Sequence, residues 1–417
     1  MPLTSRARSS LKLAAGSLAF LAGIQLVRPE LDNPPVVADI VLPPAVKSLF
    51  VTACYDCHSN QTNLRWFDRI TPANWLVAHD VRTGRAHLNF SDLGALPAAK
   101  QRAALFEALN QAELGAMPPT AYRLVHPGSV LNNEQFELIR SYLQTAEPLP
   151  PAAPSQVAAA DAQYRTWLAS GPTHGRVAPA PNGIAFLPDY KDWQVVSTTD
   201  RFDDNRLRVV LGNDVTARAI AEHKTNPWPD GSAFAKVAWD KLVEPDGGVR
   251  AGEFRQVAFM LKDATKYAST QGWGYARWLG TALEPYGKNA DFAKECTGCH
   301  EPMRARDFVF TDPVAGTSVP PSWRLITSGV QPGDGTMWVL YGNDLAVMHA
   351  RHARTEAYPA GAVLSLVVWE QRSDPRWFGA RIPGRVRSTD SVTVGAQADL
   401  DASRPLAALT ARASVMP

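Results

Sequence analysis

Cys54-Tyr55-Asp56-Cys57-His58 and Cys296-Thr297-Gly298-Cys299-His300 are the two stretches on which the reading of this chain turns, and together they hold all four of its cysteines. Each reads C-x-x-C-H, the attachment pattern of c-type haem. Two thiols add to the haem vinyl groups, and the adjacent histidine is thereby placed under the iron as its proximal ligand. The pattern predicts two covalently bound haems, with Cys54, Cys57 and His58 on one and Cys296, Cys299 and His300 on the other. A C-x-x-C pair also occurs in zinc sites and disulfides. Zinc, however, needs four ligands, usually from two such pairs brought together, and the histidine following both copies favours haem.

Composition bounds the rest. The chain has 417 residues, 45% apolar and 20% charged, enough for two or three ordinary cores. Its net charge of +2 gives no basic surface for a nucleic-acid partner. At the N-terminus Arg6, Arg8 and Lys12 precede the apolar run from Leu13 to Val27, a positive region followed by a hydrophobic one. No small-x-small cleavage site closes the apolar run directly before Arg28-Pro29. The segment 1–30 therefore reads as a signal or as an anchor tying the chain to the inner membrane, short for a spanning helix unless its flanks snorkel. Either reading exports the chain. Because bacterial haem attachment takes place outside the cytoplasm, the expected location is the periplasm.

Downstream, Ala98–Ala112 and Asn133–Leu143 carry apolar residues at helical spacing, so 36–147 reads as a small α-helical domain. The proline- and alanine-rich residues 148–163 read as a semi-rigid linker. Beyond them, short β-branched and aromatic runs alternate with turns: Trp193–Ser197, Leu207–Leu211, Phe234–Trp239, Phe254–Leu261 and Trp273–Trp278. These predict an antiparallel sheet. The second haem motif follows them on a helix or turn starting near Ala290.

A shift of 130 positions superposes Trp193 on Trp323, Gly212-Asn213-Asp214 on Gly342-Asn343-Asp344, Pro229 on Pro359, Gly231 on Gly361 and Trp239 on Trp369. Such self-similarity implies a duplicated unit. The two copies span 164–316 and 317–395; the second contains no cysteine, and 396–417 reads as a disordered tail.

The first motif, with Ser59-Asn60, Thr62, Trp66, Pro72, Trp75, His79-Asp80-Val81, Gly84-Arg85 and His87 to Ser91, resembles the periplasmic haem-binding domain family of membrane-anchored monohaem cytochromes. The likeness runs from about Leu31 to Leu143, with Arg65 where proline is expected. Met117-Pro118-Pro119 follows His58 at a distance typical of a loop methionine that caps the iron, so Met117 is the candidate sixth ligand, or else it fills the core. His79, His87 and His126 compete for that position.

Arg208, Gly212-Asn213, Pro229 to Ser232, Lys236, Gly252-Glu253-Phe254, Lys262-Asp263, Gly272-Trp273-Gly274, the second motif and Asp307 to Thr311 resemble the cytochrome P-460 family, β-rich dimeric c-type haem proteins. The resemblance implies a homodimer, a five-coordinate iron, oxidation of hydroxylamine with nitric oxide chemistry, and a lysine cross-linked to the macrocycle. Lys236 falls on that lysine. A surface lysine is the alternative, but the second copy has Leu366 at this place and Trp338 in place of Arg208. Arg208 could hold a haem propionate or polarise a bound nitrogen ligand, or pair on the surface. Where oxidising members carry a distal carboxylate, this chain has Ala258 between Val257 and Phe259, and apolar-pocket relatives bind nitric oxide. Met303, three residues after His300, reads as packing.

The fold class expected is α+β: an N-terminal α-helical cytochrome c-like domain, then an antiparallel β-rich cytochrome P-460-like domain with a degenerate, haemless repeat. The function expected is an oxidoreductase acting on a small nitrogen compound at the His300 haem, with Lys236 and Arg208 tuning it. Electrons leave through the His58 haem to a redox partner cytochrome. Nitric oxide binding without turnover, or plain electron transfer, are the rivals.

Overall fold

A computed structural model describes residues 5–145, 149–169, 177–314, 319–352 and 357–395. The tail expected to be disordered, 396–417, lies outside the described residues. The chain divides into two compact units, Met1–Ala146 and Glu147–Pro417.

The first unit is helical: α1 (Ser5–Ile24), α2 (Pro44–Ala53), α3 (Tyr55–His58), α4 (Ala73–His87), α5 (Phe90–Leu93), α6 (Ala98–Glu113), α7 (Thr120–Val125) and α8 (Asn133–Gln144). Its core is small, with Phe50, Val81, Phe90, Phe106, Leu109 and Ile139 buried, each contributing about 1.5–3 kcal/mol. α8 begins in a capping box in which Asn132 and Gln135 satisfy each other's backbone N–H. Among the described residues no helix is long and apolar enough to cross a membrane. The unit begins before the expected start at 36. Gln25 exchanges two hydrogen bonds of 3.0 Å with the Thr71 backbone, and Trp75 Nε1 donates to Val27 O at 2.8 Å.

The second unit opens with a correction. Residues 154–163, expected in a linker, form α9 (Pro154–Ala169), whose Ala160, Tyr164, Trp167 and Leu168 are buried. Tyr164 Oη donates to Ile326 O at 2.7 Å, and Trp167 Nε1 donates to Tyr190 Oη at 2.9 Å. Alanine is the best helix former, and the prolines all precede the second turn, where they cost no hydrogen bond.

Then come β1 (Gln194–Arg201), β2 (Arg206–Gly212), α10 (Asp214–Ala221), β3 (Ala233–Val243), β4 (Val249–Lys262), β5 (Trp273–Leu279), β6 (Glu284–Pro285), α11 (Ala293–His300), β7 (Arg324–Gln331), β8 (Thr336–Gly342), α12 (Asp344–Arg351), β9 (Val363–Ser373) and β10 (Ala380–Thr393). The strands are antiparallel in the order β3-β2-β1-β10-β9-β8-β7-β4, and β4 returns to β3, closing a barrel. β5 and β6 extend from the last half of β4.

The 130-residue shift carries β1, β2, α10 and β3 onto β7, β8, α12 and β9 without a gap, and β4 onto β10 with one extra residue. The start of β4 pairs with β7 and the start of β10 with β1, so the two copies meet alike at both seams. The repeated Gly-Asn-Asp has a local cause. Asn213 and Asn343 cap α10 and α12, each accepting at 3.0 Å from the N–H three residues on. A Cβ on Gly212 or Gly342 would lie 2.6 Å from Thr216 Cγ2 or from Ile326 Cδ1, respectively, so only glycine lets the helix turn back onto its strand. Trp239 and Trp369 stand at equivalent buried places inside the barrel.

Candidate functional site

In the helical unit, Cys54 ends α2 and α3 carries Cys57 and His58. Burial pushes both thiols up to about 12, and they are not joined to each other. His58 Nδ1 donates to Leu88 O at 3.1 Å, and burial holds the ring below its usual range, so it is neutral. A neutral imidazole anchored through Nδ1 offers Nε2 to a metal. Around this turn Tyr55 stacks on Phe90 at 5.0 Å and donates to Asp39, while Arg85 Nε donates to Ser59 O at 2.7 Å.

α4 can lie this close only because Gly84 has no side chain: a Cβ there would sit 2.5 Å from Cys57 O. Gly84→Ala is therefore expected to destabilise the haem-binding unit by about 1–3 kcal/mol, since rigid backbone on both sides must move. Denaturant unfolding followed at the haem band measures it; a variant as stable as the parent would refute the close-packing account.

The expected sixth ligands separate. Met117 is 40% exposed and precedes α7, which returns to the motif through Tyr122 Oη donating to Asp56 Oδ2 at 2.6 Å. His79 and His87 lie on the exposed side of α4. His126 is buried, stacked on Tyr122 at 4.1 Å, and its Nε2 is turned to Asp68 Oδ1 at 3.3 Å.

In the barrel unit, α11 places Cys296, Cys299 and His300 against the outer face of the first copy's strands, where Cys296 packs against the cluster that contains Val196, Val210, Phe234 and Tyr275. His300 Nδ1 donates to Phe308 O at 2.7 Å. That carbonyl is aimed by a strained turn in which Asp307 and Phe308 both adopt left-handed backbone, φ +48° and +66°. Asp307 locks the turn by accepting from Lys262 Nζ at 2.8 Å, Trp228 N at 2.8 Å and Trp273 Nε1 at 3.3 Å. Burial first, then the nearby Lys236 and Arg277 charges, push His300 down to about 4, again a neutral ring. Tyr275 and Phe310 flank it, each with its centroid 5.3 Å away. Met303 is buried, as packing.

The facing sheet is cationic. Lys236 on β3 stands opposite Val210 on β2 and Ala258 on β4, and Ala258 stands opposite Arg277 on β5. Lys236 makes no hydrogen bond or ion pair among the described residues, and burial, then Arg208 and Arg277, push its amine down to about 7. Arg208 pairs with Asp204, yet its Nε is buried without a partner, as is Arg277 Nε. Arg201, on β1, is paired with Asp203. Four cations, Arg201, Arg208, Lys236 and Arg277, thus gather beside two carboxylates, Asp203 and Asp204, and the buried donors left over call for an anion. A haem linked to Cys296 and Cys299, with two carboxylates on one edge, fits both the thiols and that charge. Among the described residues no group of three or more His, Cys, Asp or Glu could hold a metal ion.

Antiparallel register sets Lys236 opposite Val210, two residues along β2 from Arg208, so the two cations lie on one face of the sheet. Asp307, Lys262 and Arg277 join the site without any spacing in the sequence that assigns them a role. Arg277 was legible as the third member of the Trp273, Tyr275, Arg277 alternation on β5; the work of Asp307 depends on a backbone turn that no spacing announces.

In the second copy this face is apolar, built from Ile326, Trp338, Leu340, Leu364 and Leu366. Trp338 lies over Gly329, where a Cβ would be 2.4 Å from its ring.

Comparison with known families agrees with this division. Residues 19–145 match the model of a haem-binding domain and residues 187–311 that of cytochrome P460. One match falls in each compact unit, and the second copy, which has no C-x-x-C-H motif, lies beyond the second match. No curated protein matches the chain.

Proposed function

We propose that this haem protein is a periplasmic dihaem c-type cytochrome that oxidises a small nitrogen compound of the hydroxylamine class at the His300 haem. Electrons then pass through the His58 haem to a partner cytochrome. The observation that carries this reading is Lys236, an amine with no partner among the described residues, set between Val210 and Ala258, near enough for its charge to act on the His300 ring, and replaced by Leu366 in the copy without a haem motif. A haem bound here supplies the redox centre and the site at which a nitrogen ligand binds. The chain's own residues do the rest. His300, as a neutral, carbonyl-anchored imidazole, would hold the iron; Arg208 and Arg277 would neutralise the haem carboxylates; Lys236 would either bond to the macrocycle or place its charge beside it. The basic N-terminus and the apolar run that follows support export, with that segment as the contact to the membrane.

A second reading is favoured by Ala258. The residue next to Lys236 on this face is a methyl where a carboxylate could have taken a proton from the substrate, which suits capture of nitric oxide without turnover. Steady-state oxidation of hydroxylamine with a cytochrome c acceptor, beside nitric oxide titration of the ferrous protein, tests both. Turnover supports the first reading, tight binding without turnover the second, and neither would leave plain electron transfer.

A further inference from the structure

The two copies differ at one hairpin of the barrel itself. Between β3 and β4 the turn reads Glu244-Pro245-Asp246-Gly247-Gly248; at the same offset, between β9 and β10, it reads Asp374-Pro375-Arg376-Trp377-Phe378. Two glycines have been exchanged for aromatic residues in a copy that carries no haem motif. In the first copy this turn faces Gln331, whose Oε1 lies 2.9 Å from where a Cβ on Gly248 would stand. In the second it reaches into the haem site of the first.

Trp377 Nε1 donates to Asp203 Oδ2 at 2.8 Å, and its ring lies 4.6 Å from the Arg201 guanidinium. The same ring meets Phe310 edge-on at 6.1 Å, and Phe310 in turn meets His300 at 5.3 Å. Arg376 pairs with Asp312, which also accepts from Arg306 at 2.5 Å and Arg372 at 3.3 Å. Gly379 O accepts from the N–H groups of Phe202 and Asp203 at 2.9 and 3.2 Å. One turn of the haemless copy therefore grips both the Arg201–Asp203 pair and the loop whose Phe308 carbonyl anchors His300.

We propose that Trp377 and Arg376 make the second repeat the missing wall of the His300 haem site, with Trp377 as a positioning residue. This rests on the reading that a haem is held at Cys296, Cys299 and His300. The hydrogen bond to a ligating histidine and the charges at the haem edge both set the potential of the iron. Releasing the loop and Arg201 should alter both.

The test uses the full chain with Trp377→Phe, which keeps the ring and removes the N–H, and Trp377→Gly, which restores the residue of the first copy's turn. Hydrogen exchange in peptides covering 306–312 is expected to rise about tenfold in the glycine variant, with peptides covering β8 unchanged, since only local opening is eased. At a fixed ambient potential the reduced-to-oxidised ratio of the His300 haem is expected to move about threefold in the glycine variant and part of the way in the phenylalanine one, while the His58 haem stays where it was. If neither variant changes the exchange or the ratio, the proposal is wrong. If intact mass shows no haem at Cys296 and Cys299, the underlying reading fails instead, and exchange, which needs no haem, still reports whether the turn holds the loop.

Discussion

Lys236→Leu is expected to yield a protein that folds and carries both haems but has an ordinary c-type spectrum and hydroxylamine turnover lower by at least about a hundredfold, the usual cost of removing one preorganised charged group from a reacting centre. Folding should survive because the second copy already carries the substitution. Leu366 is buried at the equivalent position, between Leu340 on β8 and Asp390 on β10. The lysine, by contrast, has an amine pushed down to about 7 by burial and by Arg208 and Arg277, with no partner among the described residues. Replacing such a group with leucine removes a desolvation cost, so thermal stability should be equal or higher. The absorption spectrum of the reduced parent supplies the comparison: a lysine adduct moves the Soret band to the red, and the variant should lose that displacement. Parent and variant with the same spectrum would remove the cross-link, and equal turnover would remove any role for the charge.

The double variant Cys296→Ala, Cys299→Ala is expected to lose one of two covalent haems, read as a single haem addition in the intact mass, and all nitrogen chemistry with it. The His58 haem should remain, since its motif belongs to a separate compact unit. The barrel unit should also lose stability. Without the haem carboxylates, the unpaired Nε groups of Arg208 and Arg277 keep their desolvation cost with no compensation, about 1–3 kcal/mol for each such group. Denaturant unfolding of the barrel unit, compared with the parent, measures this. Retention of two haem additions, or the absence of any haem in the parent made by a host with attachment machinery, would end the account of both sites.

Much of the fold is legible in the order of the residues. Strand spans such as Phe234–Trp239 and Trp273–Trp278 fall within β3 and β5, because β-branched and aromatic runs bounded by turns suit strands buried on both faces. The helical spans within α6 and α8 are equally clear. α9 is not: its alanines permit a helix but do not dock one, and the docking groups Tyr164 and Trp167 stand at its far end, beyond the prolines that suggest a linker. Its partners, Ile326 O and Tyr190 Oη, are distant in the chain or on the short 3-10 turn Pro188–Asp192, so no local pattern points to them.

The two haem motifs are a matter of sequence alone, because their chemistry is local: on one helical turn a C-x-x-C-H run brings two thiols and an imidazole to the same edge whatever surrounds them. The duplication is equally plain, since tryptophan, glycine and the Asn cap are fixed by contacts within each copy. What surrounds the His300 motif was decided only by tertiary structure. Lys236, Arg277 and Arg208 meet because antiparallel register lays β2, β3, β4 and β5 side by side, and the Trp377 turn reaches Asp203 because the barrel closes β10 onto β1. Charges left unpaired on one face and a wall supplied by a copy with no cysteine are consequences of closure, and closure is a property of the whole sheet rather than of any segment in it.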